Sequence, residues 1–445
     1  MESKRIPKAS GLPRNPLKLY RAFIDDPLTF LQSNTLNDEG ISCFNIFHHR
    51  IVHLSHPGHI KQVMQDGDSF TQSRDRDHMR LMFGNGLLTS AGKHWKKQRL
   101  LLQPCFGKSQ SEKLFDKIIA QILSRPLPTE GPFELHRFSL DLVNRIIADI
   151  LFSRTDDGTL SIGSRLVTLK ADTLARLRDY ALPLWVPTSR NLSYGADRSA
   201  VNKAIGDLVS ARKASREEHN DLLSAFIGAR DKTTATGMAD SEVREELLGV
   251  YAAAHEPVAI ALTYALLLVS KDDDVRERLT SELNRFVING RFTATDLRGM
   301  RYLKQIVDET LRMYPPVWIS GKRAVRSVDV SGFAIKANDN IVYSPMIVQR
   351  DEKLWPDPET FDPERFSDKS DFSPSAYFPF GGGAKHCIGA HLATTILTTA
   401  VACLFARFAL HPLQNDIQLK PFTTLRPINE LTFTARHAHT PSTFE

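Results

Sequence analysis

The chain has 445 residues, of which 42% are hydrophobic and 24% are charged, and its formal net charge at pH 7 is +6. This balance is typical of a soluble globular protein with a substantial core. Four scattered cysteines without a CxxC pair exclude a disulfide framework and favour a reducing compartment. Basic residues are dispersed among acidic ones, so the charge does not indicate nucleic-acid binding but would suit an acidic protein partner.

Patterns along the chain predict a mainly α-helical protein with small β-sheets. The N-terminus, MESKRIPKASGLPRNPLKLY, has no apolar stretch, so we expect a cytoplasmic protein without a membrane anchor. No repeat or linker marks a boundary, which predicts one domain over residues 1–445. The predicted strands are Ile41–Ile46, Ile51–Leu54, Val328–Ile335 and Asn340–Tyr343. The predicted helices are Trp95–Leu102, Phe138–Phe152, Asp221–Ile227, Ser241–Ser270, Asp273–Phe286, Leu303–Tyr314 and Leu392–Leu410.

One apolar run, Leu247–Val269, is long enough to suggest a membrane span. His255, Glu256 and Pro257 interrupt it at its centre, where a charge and a helix breaker are costly in lipid. A buried central helix of a large soluble protein fits this run better. Its polar interruption is then a candidate functional site.

The most informative segment, FGGGAKHCIG, covers residues 380–389 and places Cys387 after a glycine-rich turn. A helix that begins just after this cysteine would direct free N–H groups and its positive dipole end at the sulfur. That environment favours the thiolate, which is the form that binds metal. Gly381–Gly383 leave the backbone open to a flat cofactor. The alternatives are an ordinary buried cysteine and a phosphate loop, but GxxxxGK[ST] is not satisfied because a histidine follows the lysine.

This segment resembles the cysteine-ligand loop of the cytochrome P-450 family, in which an aromatic residue, glycines, a basic residue and the cysteine recur at this spacing. The resemblance implies haem b (iron protoporphyrin IX), with Cys387 as the proximal iron ligand and with Phe380, Lys385 and Gly389 at the cofactor. A thiolate ligand favours O–O cleavage at haem iron. Lys385 stands where the family usually has arginine, so the charge is kept but the bidentate fork is lost.

Two further motifs resemble the family's haem contacts, in the family's order along the chain. Trp95 and Arg99 match a WxxxR helix, and both carry donors suited to the haem propionates. Arg323 lies where another propionate-binding arginine is expected. The resemblance therefore implies that these three residues bind the cofactor.

A third motif is the pair Glu309 and Arg312, three residues apart on a helix that a Pro-Pro sequence ends. In the family such a pair joins a later arginine, here Arg365, in a buried network behind the cysteine loop. The spacing alone favours an ordinary surface ion pair.

The central helix departs from the family pattern Ala/Gly-Gly-x-Asp/Glu-Thr. The acid is retained as Glu256, but Ala254 replaces the glycine and Pro257 replaces the threonine that helps to deliver protons. Proline has no side-chain donor, and it removes the hydrogen bond to the carbonyl of residue 253, which could then receive water or substrate. We expect Ala254, His255, Glu256 and Pro257 to be the catalytic residues. The alternative is that Pro257 is a plain kink and Glu256 a solvated acid.

The resemblance also places three segments along the substrate pocket, Asp77–Ser90, Val317–Ser320 and Pro427–Leu431, together with Tyr251, Ala254 and His255 of the central helix. It implies the cytochrome P-450 fold, with haem between the long central helix and the cysteine loop. The expected activity is that of a monomeric monooxygenase that hydroxylates or otherwise oxidises a medium-sized organic molecule in bacterial secondary metabolism.

The expected electron donor is a separate ferredoxin or flavodoxin with its reductase, because the chain ends too soon after the cysteine loop to include a reductase domain. No contact with nucleic acid or a membrane is expected. Since the central threonine is replaced by Pro257, the alternatives are oxidative coupling or cyclisation, a peroxide-driven reaction, isomerisation and dehydration. A non-catalytic haem protein that senses a small ligand is a further alternative.

Overall fold

The computed structural model describes residues 4–73, 75–178, 182–215, 217–288, 291–368, 371–414, 416–421 and 424–438. The helices in these ranges are α1 (Pro16–Asp25), α2 (Pro27–Thr35), α3 (Pro57–Gln65), α4 (Asp75–Phe83), α5 (Gly92–Leu102), α6 (Lys108–Ser124), α7 (Leu135–Phe152), α8 (Asp157–Arg178), α9 (Ser189–Ala214), α10 (Leu222–Gly228), α11 (Asp240–Lys271), α12 (Asp273–Phe286), α13 (Ala294–Gly299), α14 (Arg301–Met313), α15 (Pro345–Val348) and α16 (Ala390–Arg407). The strands are β1 (Ile41–Ile46), β2 (His49–Leu54), β3 (Phe70–Gln72), β4 (Phe133–Glu134), β5 (Ser320–Ala324), β6 (Val328–Val330), β7 (Phe333–Ile335), β8 (Asn340–Tyr343), β9 (Phe408–Pro412), β10 (Leu419–Pro421), β11 (Leu425–Pro427) and β12 (Thr432–His437). The prediction of a mainly α-helical chain with small sheets is confirmed.

The chain forms two compact units, which are described separately. The first unit comprises Met1–Asp77, Leu311–Cys387 and Lys420–Arg426, and the second comprises His78–Thr310, Ile388–Leu419 and Pro427–Glu445. The single domain expected over residues 1–445 stays a prediction.

The first unit is built on a five-stranded sheet with the order β1-β2-β8-β5-β3. Strands β2 and β8 are parallel, whereas the pairs β1–β2, β5–β8 and β3–β5 are antiparallel. Val52 and Leu54 of β2 are fully buried, as the strand prediction requires. The single strand predicted over Val328–Ile335 is wrong, since it is a hairpin of β6 and β7. Both turn residues, Ser331 and Gly332, have positive φ angles, the geometry of a tight hairpin turn.

The second unit packs its helices around α11. Helices α7, α8, α9, α12 and α16 all contact α11. By length and composition α11 and α16 could cross a membrane, but 83% and 61% of their most apolar windows are buried inside the protein. This burial fits core helices of a globular unit, as we expected for Leu247–Val269.

Candidate functional site

The cysteine loop of the first unit is closed by its own backbone. The N–H of Cys387 donates to the carbonyl oxygen of Phe380 at 3.0 Å, and the N–H of His386 donates to that of Gly383 at 3.1 Å. Gly383 has a φ of +64°, a left-handed conformation that glycine adopts without strain. The loop therefore presents Cys387 at a fixed position.

The back of this loop lies against α3. A Cβ atom on Gly383 would be 2.1 Å from the carbonyl oxygen of Met64, and one on Gly382 would be 2.8 Å from the Met64 sulfur. Apart from its two chain neighbours, no described residue has a heavy atom within 4 Å of a Cβ built on Gly381. Gly382 and Gly383 thus allow close packing on α3, a role of these glycines that the sequence alone did not indicate. The side of Gly381 is open.

The four cysteines differ in accessibility. Cys43, Cys105 and Cys403 are buried, whereas Cys387 is exposed. Burial raises the pKa of Cys105 to about 11 and that of Cys403 to about 12, so neither is a thiolate at neutral pH. The alternative of an ordinary buried cysteine is therefore wrong for Cys387. Helix α16 begins at Ala390, with Gly389 as its N-cap residue.

A buried arginine braces the loop from behind. Arg312 and Glu309 are both 0% exposed, so the alternative of a surface ion pair is wrong. Arg312 donates to the carbonyl oxygens of Gln349 at 2.7 Å and Pro358 at 2.8 Å. Its guanidinium also lies over the ring of Trp355, 5.3 Å from the centroid. These contacts attach the end of α14 to the chain segments on either side of Trp355.

Gln349 completes this connection, and sequence reasoning missed it. Its side-chain N–H groups donate to the carbonyl oxygens of Leu311 and Arg312, each at 3.0 Å. Its side-chain oxygen accepts the N–H of Phe378 at 3.0 Å, two residues before the loop begins. Arg365 is half-buried and donates to the carbonyl oxygen of Asp357, close to the segment that Arg312 holds.

The three residues expected at the haem propionates are a tryptophan and two arginines, and they belong to different units. In the second unit, Trp95 and Arg99 are one turn apart on α5, and both are half-buried. In the first unit, Arg323 on β5 is half-buried, and within the described ranges its guanidinium has no hydrogen bond or ion pair. A half-buried cation without a protein counter-ion suits an anionic group of a cofactor.

Helix α11 carries one open strip on an otherwise buried surface. Between Glu246 and Ser270 the side chains that are not buried are those of Val250, Ala253, Ala254 and Pro257. Their spacing of three, four and seven residues places them on one face. The helix continues through Pro257 without a break. A small, apolar and uncovered face of this kind fits a flat, apolar cofactor such as haem.

His255 and Glu256 do not lie on this strip. His255 donates from Nε2 to the carbonyl oxygen of Leu140 on α7 at 3.0 Å, and burial lowers the pKa of this histidine. Glu256 is 2% exposed and forms an ion pair with Lys170 of α8 at 3.0 Å, so it is not a solvated acid. Each residue turns a helix by about 100°, and the side chains of His255 and Glu256 contact α7 and α8 rather than lying on the strip. Of the four residues expected to be catalytic, Ala254 and Pro257 lie on the open strip, and the expectation that His255 lines the pocket is corrected.

Tyr251, expected along the pocket, also points away from the strip. It is fully buried, and its hydroxyl donates to the side-chain oxygen of Asn144 on α7 at 2.9 Å. Trp318 in the first unit is 1% exposed, so most of its surface is covered by protein. Both aromatic residues are therefore part of the core.

Comparisons with known proteins agree with this geometry. The sequence profile of the family described as cytochrome P-450 matches residues 30–434. The cyclooctat-9-en-7-ol 5-monooxygenase of Streptomyces melanosporofaciens is 28% identical, over 80% of this chain and 79% of its own. The pentalenene oxygenase of Streptomyces avermitilis is also 28% identical, over 84% of this chain and 83% of its own. The crystal structure of the cytochrome P-450DA heme domain superposes with a TM-score of 0.86 at 20% identity, covering 99% of each chain. The chain belongs to the cytochrome P-450 family, and it is a haem-dependent monooxygenase.

Proposed function

We propose that this enzyme inserts one oxygen atom into a C–H bond of a medium-sized cyclic hydrocarbon of the terpene class. The observation that carries the proposal is the exposed Cys387 on its closed glycine loop, beside three buried cysteines. The names of the two Streptomyces relatives, which refer to cyclooctat-9-en-7-ol and pentalenene, support the substrate class. Haem b is the cofactor that this donor set suits.

Haem with a thiolate ligand supplies the reductive activation of dioxygen. Cys387 provides the thiolate, and Phe380, Lys385 and Gly389 belong to the loop segment that surrounds it. Arg323, Trp95 and Arg99 provide hydrogen-bond donors for the propionates. Lys385 provides a point charge without a bidentate fork. Together these residues bind and orient the cofactor.

On the oxygen-activating side, the strip of α11 provides an apolar surface that excludes water. Pro257 lacks an N–H, so the carbonyl oxygen of Ala253 has no helical donor and can accept a hydrogen bond from a water or from a substrate hydroxyl. Glu256, which directly precedes Pro257 in the sequence, forms a buried ion pair with Lys170. In this proposal the ion pair orients α8 against α11, and protons reach the strip through water or substrate.

Electrons come from a ferredoxin or flavodoxin-type donor with its reductase, and the enzyme works as a cytoplasmic monomer. Lys96 and Lys97 are both exposed on α5 and provide a basic surface for an acidic donor.

The test is turnover of pentalenene by the purified enzyme with a ferredoxin, its reductase, NADPH and isotopically labelled dioxygen. We expect a product that contains one labelled oxygen atom and that forms in proportion to the NADPH consumed. A set of cyclic terpene hydrocarbons should be compared with linear fatty acids as the control class. Oxygenation of the fatty acids alone would contradict the substrate class.

Pro257 favours a second candidate function, because the usual hydroxyl donor is missing from the open strip. The candidate is a reaction that needs no reductant, either peroxide-driven or an isomerisation or dehydration. Omitting NADPH from the same experiment separates the two. Unchanged turnover without NADPH, or with hydrogen peroxide alone, would replace the monooxygenase reaction by this candidate.

Replacing Pro257 by threonine is expected to raise product formed per NADPH severalfold with ill-fitting substrates, because a hydroxyl donor is restored. With a substrate that carries its own donor, the gain should be absent or reversed. Pro257→Ala is the matched control, since it restores the N–H without a hydroxyl. Both variants should unfold at higher temperature, because an interior proline costs about 3 kcal/mol relative to alanine. Coupling that is equal in the wild type and both variants would show that Pro257 is only a helix irregularity.

A further inference from the structure

Two carboxylates at the start of α11 hold the loop of residues 84–90, which joins α4 to α5 in the second unit, and a third holds α5 itself. Glu245 accepts the N–H of Asn85 at 2.9 Å. Both carboxylate oxygens of Glu246 accept the N–H of Leu87 at 2.9 Å. One turn earlier, Glu242 accepts from the side-chain amide of Gln98 on α5 at 2.9 Å. Main-chain N–H groups of the loop are thus bound by side chains of the central helix.

The glycines of the loop allow this approach. A Cβ atom on Gly84 would be 2.2 Å from the side-chain carboxyl carbon of Glu245. One on Gly86 would be 3.2 Å from the backbone oxygen of Glu245 and from a carboxylate oxygen of Glu246. Glu246 is 1% exposed, whereas Glu245 is half-buried. Glu246 is therefore the inner of the two contacts.

The rest of the loop is held by its own turn and by its two flanking helices. The hydroxyl of Thr89 donates to the carbonyl oxygen of Gly84 at 2.6 Å. Arg80 of α4 donates to the carbonyl oxygen of Thr89 at 2.9 Å. Nε2 of His94 on α5 lies 2.9 Å from the carbonyl oxygen of Asn85. These bonds keep the loop compact, so it can move as one piece when its contacts to α11 break.

We propose that Glu245 and Glu246 are positioning residues that fix the 84–90 loop against α11, and that release of Glu246 admits substrate to the reaction side of α11. This inference rests on the proposed function and on the expectation from the sequence that residues 77–90 line the substrate pocket. Glu246 and the loop are parts of the same unit, and their contact does not depend on the cofactor.

The contact is sensitive to pH. Burial, together with the nearby Glu245 and Glu242 carboxylates, raises the pKa of Glu246 from 4.5 to about 7, although the Leu87 N–H opposes the shift. On the flanking helices, the charged or titratable groups that contact the loop are Arg80 and His94, which both bind loop carbonyls. When the loop opens, water restores the ordinary pKa, so the closed state binds more protons between the two values. The closed loop is therefore most stable below pH 4.5, loses stability as the pH rises toward 7, and changes little above it.

The experiment measures hydrogen exchange at the amides of Asn85 and Leu87 in haem-loaded protein, corrected for intrinsic exchange. Opening of Leu87 should increase roughly thirtyfold from pH 5 to pH 7 and then level off. Glu246→Gln keeps an acceptor but cannot ionise, so its opening should be independent of pH. Glu246→Ala should open at all pH values. Glu245→Gln and His94→Gln are matched controls that should keep the pH dependence.

Entry is measured by stopped flow with 4-phenylimidazole, a bulky azole that binds haem iron, and with carbon monoxide as a small probe that needs no opening. Calculated per neutral azole, since the protonated form cannot bind iron, the azole association rate relative to that of carbon monoxide should follow the Leu87 opening across pH in the wild type and remain constant in Glu246→Gln. Exchange that ignores Glu246, or an azole rate that does not follow exchange, would overturn the proposal. A failure of haem binding would contradict the proposed function instead, and Leu87 exchange would still report on the loop.

Discussion

The Cys387→Ala protein is expected to lose the red-shifted Soret band that a thiolate-ligated haem gives when it is reduced and exposed to carbon monoxide. The side chain of Cys387 is exposed, so its removal leaves no cavity, and the loop is closed by backbone bonds that alanine can also make. Circular dichroism and the unfolding temperature of the apoprotein should therefore stay close to those of the wild type. Monooxygenase turnover should fall below detection, because no other accessible thiol remains.

Cys403→Ala is the matched control for this result. Cys403 lies on α16 and is 5% exposed, and its raised pKa keeps the thiol protonated. We expect this variant to retain the thiolate-type band and full turnover, with a loss of stability of about 1 kcal/mol from the removed sulfur. A thiolate-type band that persists in Cys387→Ala, or that disappears in Cys403→Ala, would contradict the assignment of the ligand.

Elements with a strong local pattern could be predicted from the sequence. The predicted bounds agree closely with the structure for α11, which has a long apolar run, for α12, which has an acidic start and an apolar period, and for the mostly buried strand β1. Helices α8 and α9 were not predicted from the sequence, because their stability comes from contacts with other segments of the chain. A Cβ atom on Gly163 of α8 would be 2.0 Å from the side chain of Asn144, so a residue that weakens the isolated helix allows its close packing on α7.

In the candidate site, too, the features with a local sequence pattern could be predicted, and those that depend on contacts between distant segments could not. Cys387 and its glycines form a local signal, and their exposure and loop geometry fit the expectation. The direction of His255 and Glu256 depends on the rotation of α11 against α7 and α8, which a four-residue motif cannot specify. Gln349 acts through Leu311, Arg312 and Phe378, residues that are 29 to 38 positions away in sequence. Such long-range contacts leave no spacing that sequence reasoning could detect.

Replacing Arg312 by alanine is expected to leave almost no folded, haem-loaded protein. The guanidinium is fully buried, binds the carbonyl oxygens of Gln349 and Pro358, and lies over Trp355. Its loss leaves those carbonyls without a donor, opens a cavity beside the indole and removes a fully buried charge. Breaking a buried charge network costs about 3–5 kcal/mol. This is a large part of the 5–15 kcal/mol that typically separates folded from unfolded protein.

Two variants make the Arg312 result specific to the brace behind the cysteine loop. Arg365→Ala removes a half-buried arginine that donates to the carbonyl oxygen of Asp357 in the same chain region, so it should lower stability and haem content less than Arg312→Ala does. Gln349→Leu keeps the side-chain volume but leaves the Phe378 N–H without its acceptor, so it should lower haem content more than Arg365→Ala does. Soluble yield, haem absorbance and unfolding temperature measure all three. Because Gln349 connects Arg312 to the segment before the loop, an Arg312→Ala protein with wild-type haem content and unfolding temperature would show that the loop is held without this brace.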